Sequence, residues 1–223
     1  MKLETENINY RLIAEFIILF ILLPLIYASG LLEMSMLSLL MLAAFYCFIV
    51  LMFDPASPKE QLWSRKPNLK VLKKMAIMFA VLAPALLLSV YLFAPEKLFS
   101  MLSEKPRVLL LIVILYPFIS VYPQELVYRC FFFYRYKSFF KNEKTAILTN
   151  AVLFAYMHIV FNNWVAVALS LAGGFIFAHT YKKTKSLFWV SVEHCLYGLL
   201  VFVAGLGGYF LGGTTIVGSL LSK

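Results

Sequence analysis

Long apolar runs, separated by short polar or basic segments, divide the chain from end to end. A helix needs about 20 apolar residues to cross the hydrocarbon core of a bilayer. The runs that approach this length are 12–32, 35–53, 75–94, 108–123, 145–160, 164–181, 187–204 and 205–221. The apolar residues are continuous and do not alternate with polar ones, which argues against a β-barrel. The pattern predicts an all-α fold, a polytopic membrane helix bundle of about eight transmembrane helices.

Three details refine this prediction. Pro24 should kink the first helix, and the fourth run continues beyond residue 123 into an aromatic segment that ends near Phe140. The last run contains six glycines and is the weakest, so that seven and eight spans both stay open. The paired glycines Gly173 and Gly174 are small residues on a membrane helix, and they favour close packing against a neighbouring helix.

Composition supports a membrane protein. Hydrophobic residues make up 62% of the chain and charged residues 14%, which excludes a soluble enzyme, a disordered chain and a nucleic-acid-binding domain. The net charge is +9, but the basic residues lie between the apolar runs. With eight spans and a cytoplasmic N-terminus, 16 Lys and Arg lie inside and three outside. We therefore expect a multi-pass integral protein of a bacterial plasma membrane, its N-terminus cytoplasmic and without a removable signal peptide.

A few ionisable residues lie inside the apolar runs, where a charge is costly and therefore indicates function. Glu125 and Arg129 are four residues apart and share a helix face, so a buried structural ion pair is one interpretation. His158 and His194 lie on two other predicted helices, and Glu193 precedes His194. A lone membrane histidine is usually a packing residue. Two histidines and a carboxylate on three helices could converge on one site.

Such a site could activate water in two ways: a carboxylate base could act with histidine, or Glu125, His158 and His194 could bind zinc. The sequence does not require zinc, because the HExxH signature is absent. The GxSxG signature of serine hydrolases is also absent. The three cysteines are isolated and show no CxxC spacing. No cofactor is implied.

Three short motifs occur in order along the predicted helices: Gln124-Glu125-x-x-x-Arg129, then Phe154-x-x-x-His158, then His194 followed by Gly198. Their order and separation resemble the motifs of the CAAX-protease and bacteriocin-processing family of glutamic intramembrane proteases, which includes the type II CAAX prenyl endopeptidase. The resemblance covers roughly residues 105–205. It divides one integral membrane domain into N-terminal helices (1–104), a catalytic helical core (105–205) and a glycine-rich C-terminal segment (206–223).

The resemblance implies a role for each motif residue. Glu125 matches the second glutamate of the first motif, and Arg129 matches the arginine that holds that helix. His158 matches the histidine paired with the catalytic glutamate. His194 matches the histidine of the third motif, which helps to form the oxyanion site.

Two positions depart from the family pattern. Gln124 stands where the family usually has its first glutamate, often assigned as the base, and an amide cannot accept a proton as a base. Gly198 stands where an asparagine could donate a hydrogen bond to an oxyanion. Either Glu125 serves as the base in a divergent subgroup, or hydrolysis has been lost.

The prediction is an intramembrane endopeptidase that hydrolyses a peptide bond of a membrane-associated or lipidated protein or peptide. Its expected partners are that substrate and the lipid bilayer, not nucleic acid; its oligomeric state is open. The alternatives are an inactive relative that binds peptides or acts in bacteriocin immunity, a proton-coupled transporter or channel, and a metal-dependent hydrolase. The sequence shows no internal repeat, which counts against the transporter.

Overall fold

The computed structural model describes residues 10–66 and 68–211, and in this part of the chain all regular structure is helical. The helices, in chain order, are α1 Tyr10–Ala28, α2 Met36–Phe53, α3 Glu60–Trp63, α4 Leu69–Phe93, α5 Ser100–Glu104, α6 Pro106–Arg135, α7 Glu143–Phe161, α8 Trp164–Thr184 and α9 Leu187–Val203. Short 3₁₀ turns follow α4, α6 and α9.

Within the described ranges, six helices are long and apolar enough to cross a membrane: α1, α2, α4, α6, α7 and α8. The shorter apolar helix α9 corresponds to the seventh predicted run. The all-α membrane bundle is therefore confirmed. The eighth run, 205–221, is described only as far as residue 211, and this part contains the 3₁₀ turn Gly207–Phe210. The remainder of the run lies outside the described residues.

One helix boundary differs from the prediction, and one predicted continuation is confirmed. Helix α4 begins at Leu69, not near residue 75, because the Asn68 side chain caps it by accepting a 3.2 Å hydrogen bond from the Val71 amide. Lysines that we placed in a loop therefore lie on the first turns of this helix. The fourth apolar run and the aromatic segment after it form a single helix, α6, which passes through Pro117 and Pro123 without interruption.

Wide π-helical turns accommodate proline in two of the long helices. A proline ring clashes with the carbonyl four residues earlier, and a π turn removes that close approach. In α1 the π turn Ile18–Leu22 precedes Pro24 and contains Phe20, whose carbonyl is four residues before the proline. In α6 the π turn Pro117–Val121 precedes Pro123 in the same way. The kink predicted at Pro24 takes this form, and α6 continues into a second π segment, Leu126–Phe131.

Helices α7 and α8 make a close backbone contact at Gly174. A Cβ atom at this position would lie 2.9 Å from the Cα of Ala151 and 3.0 Å from its carbonyl oxygen. Only a residue without a side chain allows this approach, and the packing role predicted for Gly174 is confirmed. The contact fixes α7, which carries Phe154 and His158, against α8, which carries Phe177.

A partly buried ionic cluster joins α1 and α2 to the basic end of α6. The Glu15 carboxylate accepts two 2.9 Å hydrogen bonds from Arg135 and one each from Tyr46, at 2.8 Å, and Tyr136, at 2.9 Å. Glu15 lies near one end of the first predicted span, where its side chain can reach the membrane interface. The structure adds that Glu15 is the acceptor at the centre of this cluster. Beside the cluster, in the loop after α2, the Tyr134 hydroxyl donates to Asp54 and lowers the pKa of that carboxyl.

Candidate active site

A hydrogen bond between two helices forms the centre of the site. The Nδ1 atom of His194, on α9, lies 2.8 Å from Oε1 of Glu125, on α6. Both side chains are buried. Helix α9 starts at the capping residue Ser186, whose hydroxyl accepts from the Trp189 amide at 3.2 Å. His194 therefore lies two turns inside the helix, level with Glu125.

Arg129 holds the other oxygen of the same carboxylate. Its Nε atom lies 3.2 Å from Oε2 of Glu125, so the pair predicted from the four-residue spacing is present, with both side chains fully buried. The guanidinium also donates to Oδ1 of Asn150 at 2.8 Å, and its Cζ atom lies 4.7 Å from the centre of the Phe154 ring. Desolvation of the arginine is thus offset by an anion, an amide and an aromatic face.

Asn150 is a site residue that the sequence analysis did not identify. Its amide donates a 2.5 Å hydrogen bond to the carbonyl of Tyr128, in addition to accepting from Arg129. It ties α7 to the second π segment of α6. The available signal was an asparagine in the middle of an apolar run, because buried polar groups in membrane helices need specific partners.

Aromatic rings fix the plane of the His194 imidazole. Phe177 stacks on it at a centroid distance of 4.5 Å and an interplanar angle of 18°, and Phe154 meets it edge-on at 5.7 Å. The outer nitrogen, Nε2, lies 3.3 Å from the hydroxyl of Tyr116, on α6. The Glu125 carboxylate accepts from Nδ1, so the neutral ring carries its hydrogen there and presents an unprotonated Nε2 to Tyr116.

His158 lies where α7 changes from an α-helix to a 3₁₀ turn. Its Nδ1 atom donates to the carbonyl of Phe154 at 2.7 Å, which leaves Nε2 as the second functional atom of the ring. In the described part of the chain, no hydrogen bond connects His158 to Glu125 or His194. It shares a cavity with His194 instead.

That cavity has a volume of about 620 Å³ and is lined mainly by apolar side chains of α2, α4, α6, α7, α8 and α9. Its polar lining includes Gln124, His158, His194 and Tyr116, and Gly198 also contributes. Glu125 is not on the wall, because the His194 ring separates it from the cavity. Of the three predicted catalytic residues, the structure therefore brings two to the cavity and places the third behind one of them.

Gln124 lies on the cavity wall. Its amide nitrogen donates to the Ser120 hydroxyl at 2.8 Å, whereas its Oε1 atom is buried and accepts no hydrogen bond in the described chain. Glu193 does not line the cavity, although it is almost fully buried beside this site. Glu125 thus carries the carboxylate closest to the cavity histidines.

The three candidate metal ligands do not fit zinc in this arrangement. The Glu125 oxygen and the His194 nitrogen face each other at hydrogen-bonding distance, not towards a common point, and Arg129 occupies the second oxygen. Among the described residues, no group of three His, Cys, Asp or Glu side chains could hold a metal ion. We therefore derive no step through zinc.

The fold and the site define a class of protein: an integral membrane protein with a buried carboxylate–imidazole pair, whose imidazole lines an intramembrane cavity. Residues 106–200 match the Rce1-like family model, described as type II CAAX prenyl endopeptidase Rce1-like. The matched segment contains all three motifs, and it confirms the resemblance to the CAAX-protease and bacteriocin-processing family. Neither a curated protein nor a solved structure matches the chain.

Proposed function

We propose that this protein is an intramembrane endopeptidase that hydrolyses a peptide bond of a membrane-associated or lipidated protein or peptide. The single observation that carries the proposal is the Glu125–His194 hydrogen bond behind a cavity wall, 2.8 Å long and fully buried on the glutamate side. The family match adds the reaction class, because the family description is that of an endopeptidase.

His194 is the base in the mechanism that this geometry favours. Its Nε2 atom faces the cavity and accepts a proton from water as the water oxygen attacks the scissile carbonyl carbon. The carbonyl π electrons move to oxygen, which becomes the oxyanion. Glu125 accepts the hydrogen bond from Nδ1–H, holds the tautomer and stabilises the imidazolium, and it remains ionised throughout. The C–N bond then breaks, and Nε2–H gives its proton to the departing amine.

His158 and Gln124 complete the polar wall. With its Nδ1 atom bonded to a backbone carbonyl, His158 can orient the attacking water or assist the leaving amine through Nε2. Gln124 supplies an amide in place of a base. A direct role for Glu125 as the base needs its carboxylate in contact with water, which would require His194 to rotate away from it.

The surroundings of the site favour a substrate that is already in the membrane. The cavity wall is largely apolar, so it suits a lipid-attached or apolar peptide segment. Helical backbone amides are protected by their own hydrogen bonds, so the cleaved segment must be extended or unwound. The basic loops favour a cytoplasmic N-terminus, and the host membrane in this proposal is a bacterial plasma membrane.

The test compares peptide termini in membrane fractions that contain wild type or Glu125→Ala at matched abundance. New termini found only with the wild type support the proposal and identify the substrate and the cleaved bond. The matched control is Glu143→Gln, which removes a carboxylate at the basic surface of the bundle, where Glu143 pairs with Lys182 and Lys183. Identical terminus profiles, with all proteins folded and the natural host used, contradict the proposal.

A second candidate function rests on Gln124. An amide at the position of the usual base is the change expected in a relative that binds a peptide in the same cavity without cleaving it, for example in bacteriocin immunity. This candidate predicts that alanine at both His158 and His194 leaves the biological function intact. The endopeptidase predicts that the same double variant loses it.

A further inference from the structure

Gly198 and Tyr116 share one space in the cavity wall. A Cβ atom built on Gly198 would overlap the Tyr116 ring, with the phenolic oxygen as its nearest neighbour, followed by Cε1 at 2.6 Å and Cζ at 2.7 Å. The space that a side chain at position 198 of α9 would enter is therefore filled by the Tyr116 side chain of α6. Gly198 is one turn after His194, so the phenol lies beside the imidazole.

The Tyr116 hydroxyl is a weakly engaged donor on the cavity wall, beside the imidazole of His194. Its one hydrogen bond in the described structure is the 3.3 Å contact with Nε2 of His194, which is long for a hydrogen bond to oxygen or nitrogen. It lies on the wall of the cavity with Gln124 and His158. The ring is held at its edge by Phe202, at a centroid distance of 5.6 Å, so that the hydroxyl has a defined position.

We propose that Tyr116 is a catalytic residue whose hydroxyl donates a hydrogen bond to the oxyanion formed during peptide hydrolysis, in the position left open by Gly198. The inference rests on the proposed endopeptidase activity and deepens it. In the family pattern, an asparagine on the third-motif helix is available as a donor. Here the donor comes from the first-motif helix and is a phenol.

The contact with His194 determines at which stage of the reaction the Tyr116 hydroxyl donates to the oxyanion. Before the reaction, the unprotonated Nε2 atom accepts from the phenol or from the attacking water. Once Nε2 has taken the proton from water, it no longer accepts, and the phenolic O–H is released towards the new negative charge. The hydrogen bond thus becomes stronger in the transition state than in the ground state, which is the condition for raising kcat.

The first experiment measures kcat and KM of purified protein with a farnesylated Cys-a-a-X peptide, for wild type, Tyr116→Phe and Tyr156→Phe. Removal of one oxyanion donor lowers kcat by about 100-fold to 1,000-fold, and we expect this loss with little change in KM for Tyr116→Phe. Tyr156→Phe is the control, since its hydroxyl bonds to the Ile21 carbonyl at 3.3 Å, away from the cavity. A Tyr116→Phe variant with wild-type kcat overturns the inference.

The second experiment exchanges the donor between the two helices. Gly198→Asn alone should lose activity, because its side chain and the phenol cannot occupy the same space. Tyr116→Ala combined with Gly198→Asn should recover at least about tenfold over Tyr116→Ala, because an amide donor then fills that space. A double variant that unfolds at the wild-type temperature and is no more active than Tyr116→Ala contradicts the inference.

A binding measurement separates this inference from the proposed function. The probe is the same farnesylated peptide with a phosphinate in place of the scissile amide, because its anionic oxygens mimic the oxyanion. Wild type should bind the phosphinate more tightly than the parent peptide, and Tyr116→Phe should lose that preference. If the preference for the phosphinate depends on Tyr116 but no peptide is cleaved, the role of Tyr116 is supported and the proposed endopeptidase activity is contradicted. If wild type shows no preference, the inference is overturned whatever the cleavage result.

Discussion

The Nδ1 atom of His194 lies 2.8 Å from Oε1 of Glu125, across 69 residues of sequence and between two membrane helices. The carboxylate fixes the tautomer of the imidazole and directs its second nitrogen into the cavity. Arg129 holds the carboxylate from the other side, 3.2 Å from Oε2. Arg129, Glu125 and His194 thus form a continuous series of polar contacts from α6 to the cavity wall. Each side chain can be tested separately.

Glu125→Gln should abolish peptide cleavage, and it should also destabilise the bundle by about 3–5 kcal/mol, because Arg129 is left buried without its anion. The amide keeps the size of the side chain and an oxygen acceptor but loses the negative charge that stabilises the imidazolium. A change of this kind in a carboxylate–histidine pair costs up to about 10⁴-fold in kcat. The measurement is peptide cleavage by purified protein. Glu143→Gln is the control, and equal activity of Glu125→Gln and wild type would exclude the pair from catalysis.

Arg129→Met should destabilise the bundle, because it leaves the Glu125 carboxylate buried without a cation. Breaking one side of a buried pair costs about 3–5 kcal/mol of unfolding free energy. The measurement is reversible unfolding of purified protein in mixed micelles. Arg129→Lys should not restore the full stability, since one ammonium cannot reach Glu125 and Asn150 together and pack its plane on Phe154.

The double variant Glu125→Gln with Arg129→Met separates charge burial from packing. It removes both charges, so we expect much of the lost unfolding free energy to return, while peptide cleavage stays absent. If the double variant is as unstable as Arg129→Met, the loss arises from the contacts with Asn150 and Phe154 and not from the unpaired carboxylate.

Gly174→Ala should loosen the contact between α7 and α8. The new Cβ atom would lie 2.9 Å from a backbone atom of Ala151, which cannot rotate away, so the two helices must separate. Overpacking of this kind costs about 1–3 kcal/mol of unfolding free energy. Gly208→Ala is the control, because nothing lies within 4 Å of a Cβ atom at that position. Equal stability of the two variants would show that the backbones are not in tight contact.

The fold followed from the sequence because membrane helices are determined by local composition. Each apolar run is long enough to satisfy its backbone hydrogen bonds internally, so the runs and their type could be read without knowledge of packing. The start of α4 was misplaced because a cap at Asn68 outweighs the lysines that follow it. The continuation of the fourth run into the aromatic segment was predicted, but the π turn before Pro123 that keeps α6 continuous was not.

The site was only partly predictable from the sequence. Four-residue spacing predicted the Glu125–Arg129 pair, since both residues lie on one helix face. Which side chain lines the cavity depends on how α6 and α9 rotate against each other, and no spacing within one helix contains that information. The placement of Glu125 behind His194, the anchoring of Arg129 by Asn150 and the Tyr116 phenol above Gly198 therefore appeared only in the structure.

Gln124→Glu tests whether this chain needs the glutamate that the family pattern places there. Gln124 already lines the cavity and bonds to Ser120, so a carboxylate in its place would contact the same space. A missing general base costs about 10²–10⁴-fold in rate. If Glu125 and His194 already supply the base, the substitution should change kcat by less than about tenfold, measured with the farnesylated peptide.

A large gain of activity in Gln124→Glu would support the inactive binding protein. If wild type is inactive and Gln124→Glu cleaves the peptide, the cavity and the donors are intact and only the base is missing, as the inactive binding protein requires. Gln124→Asn is the matched control, since it retains an amide but withdraws it from the cavity. His194 and Arg129 hold the two oxygens of Glu125 from opposite sides, so a second carboxylate at position 124 can act without displacing Glu125. If only the Gln124→Glu variant cleaves the peptide, His194 is not the base in the wild-type protein.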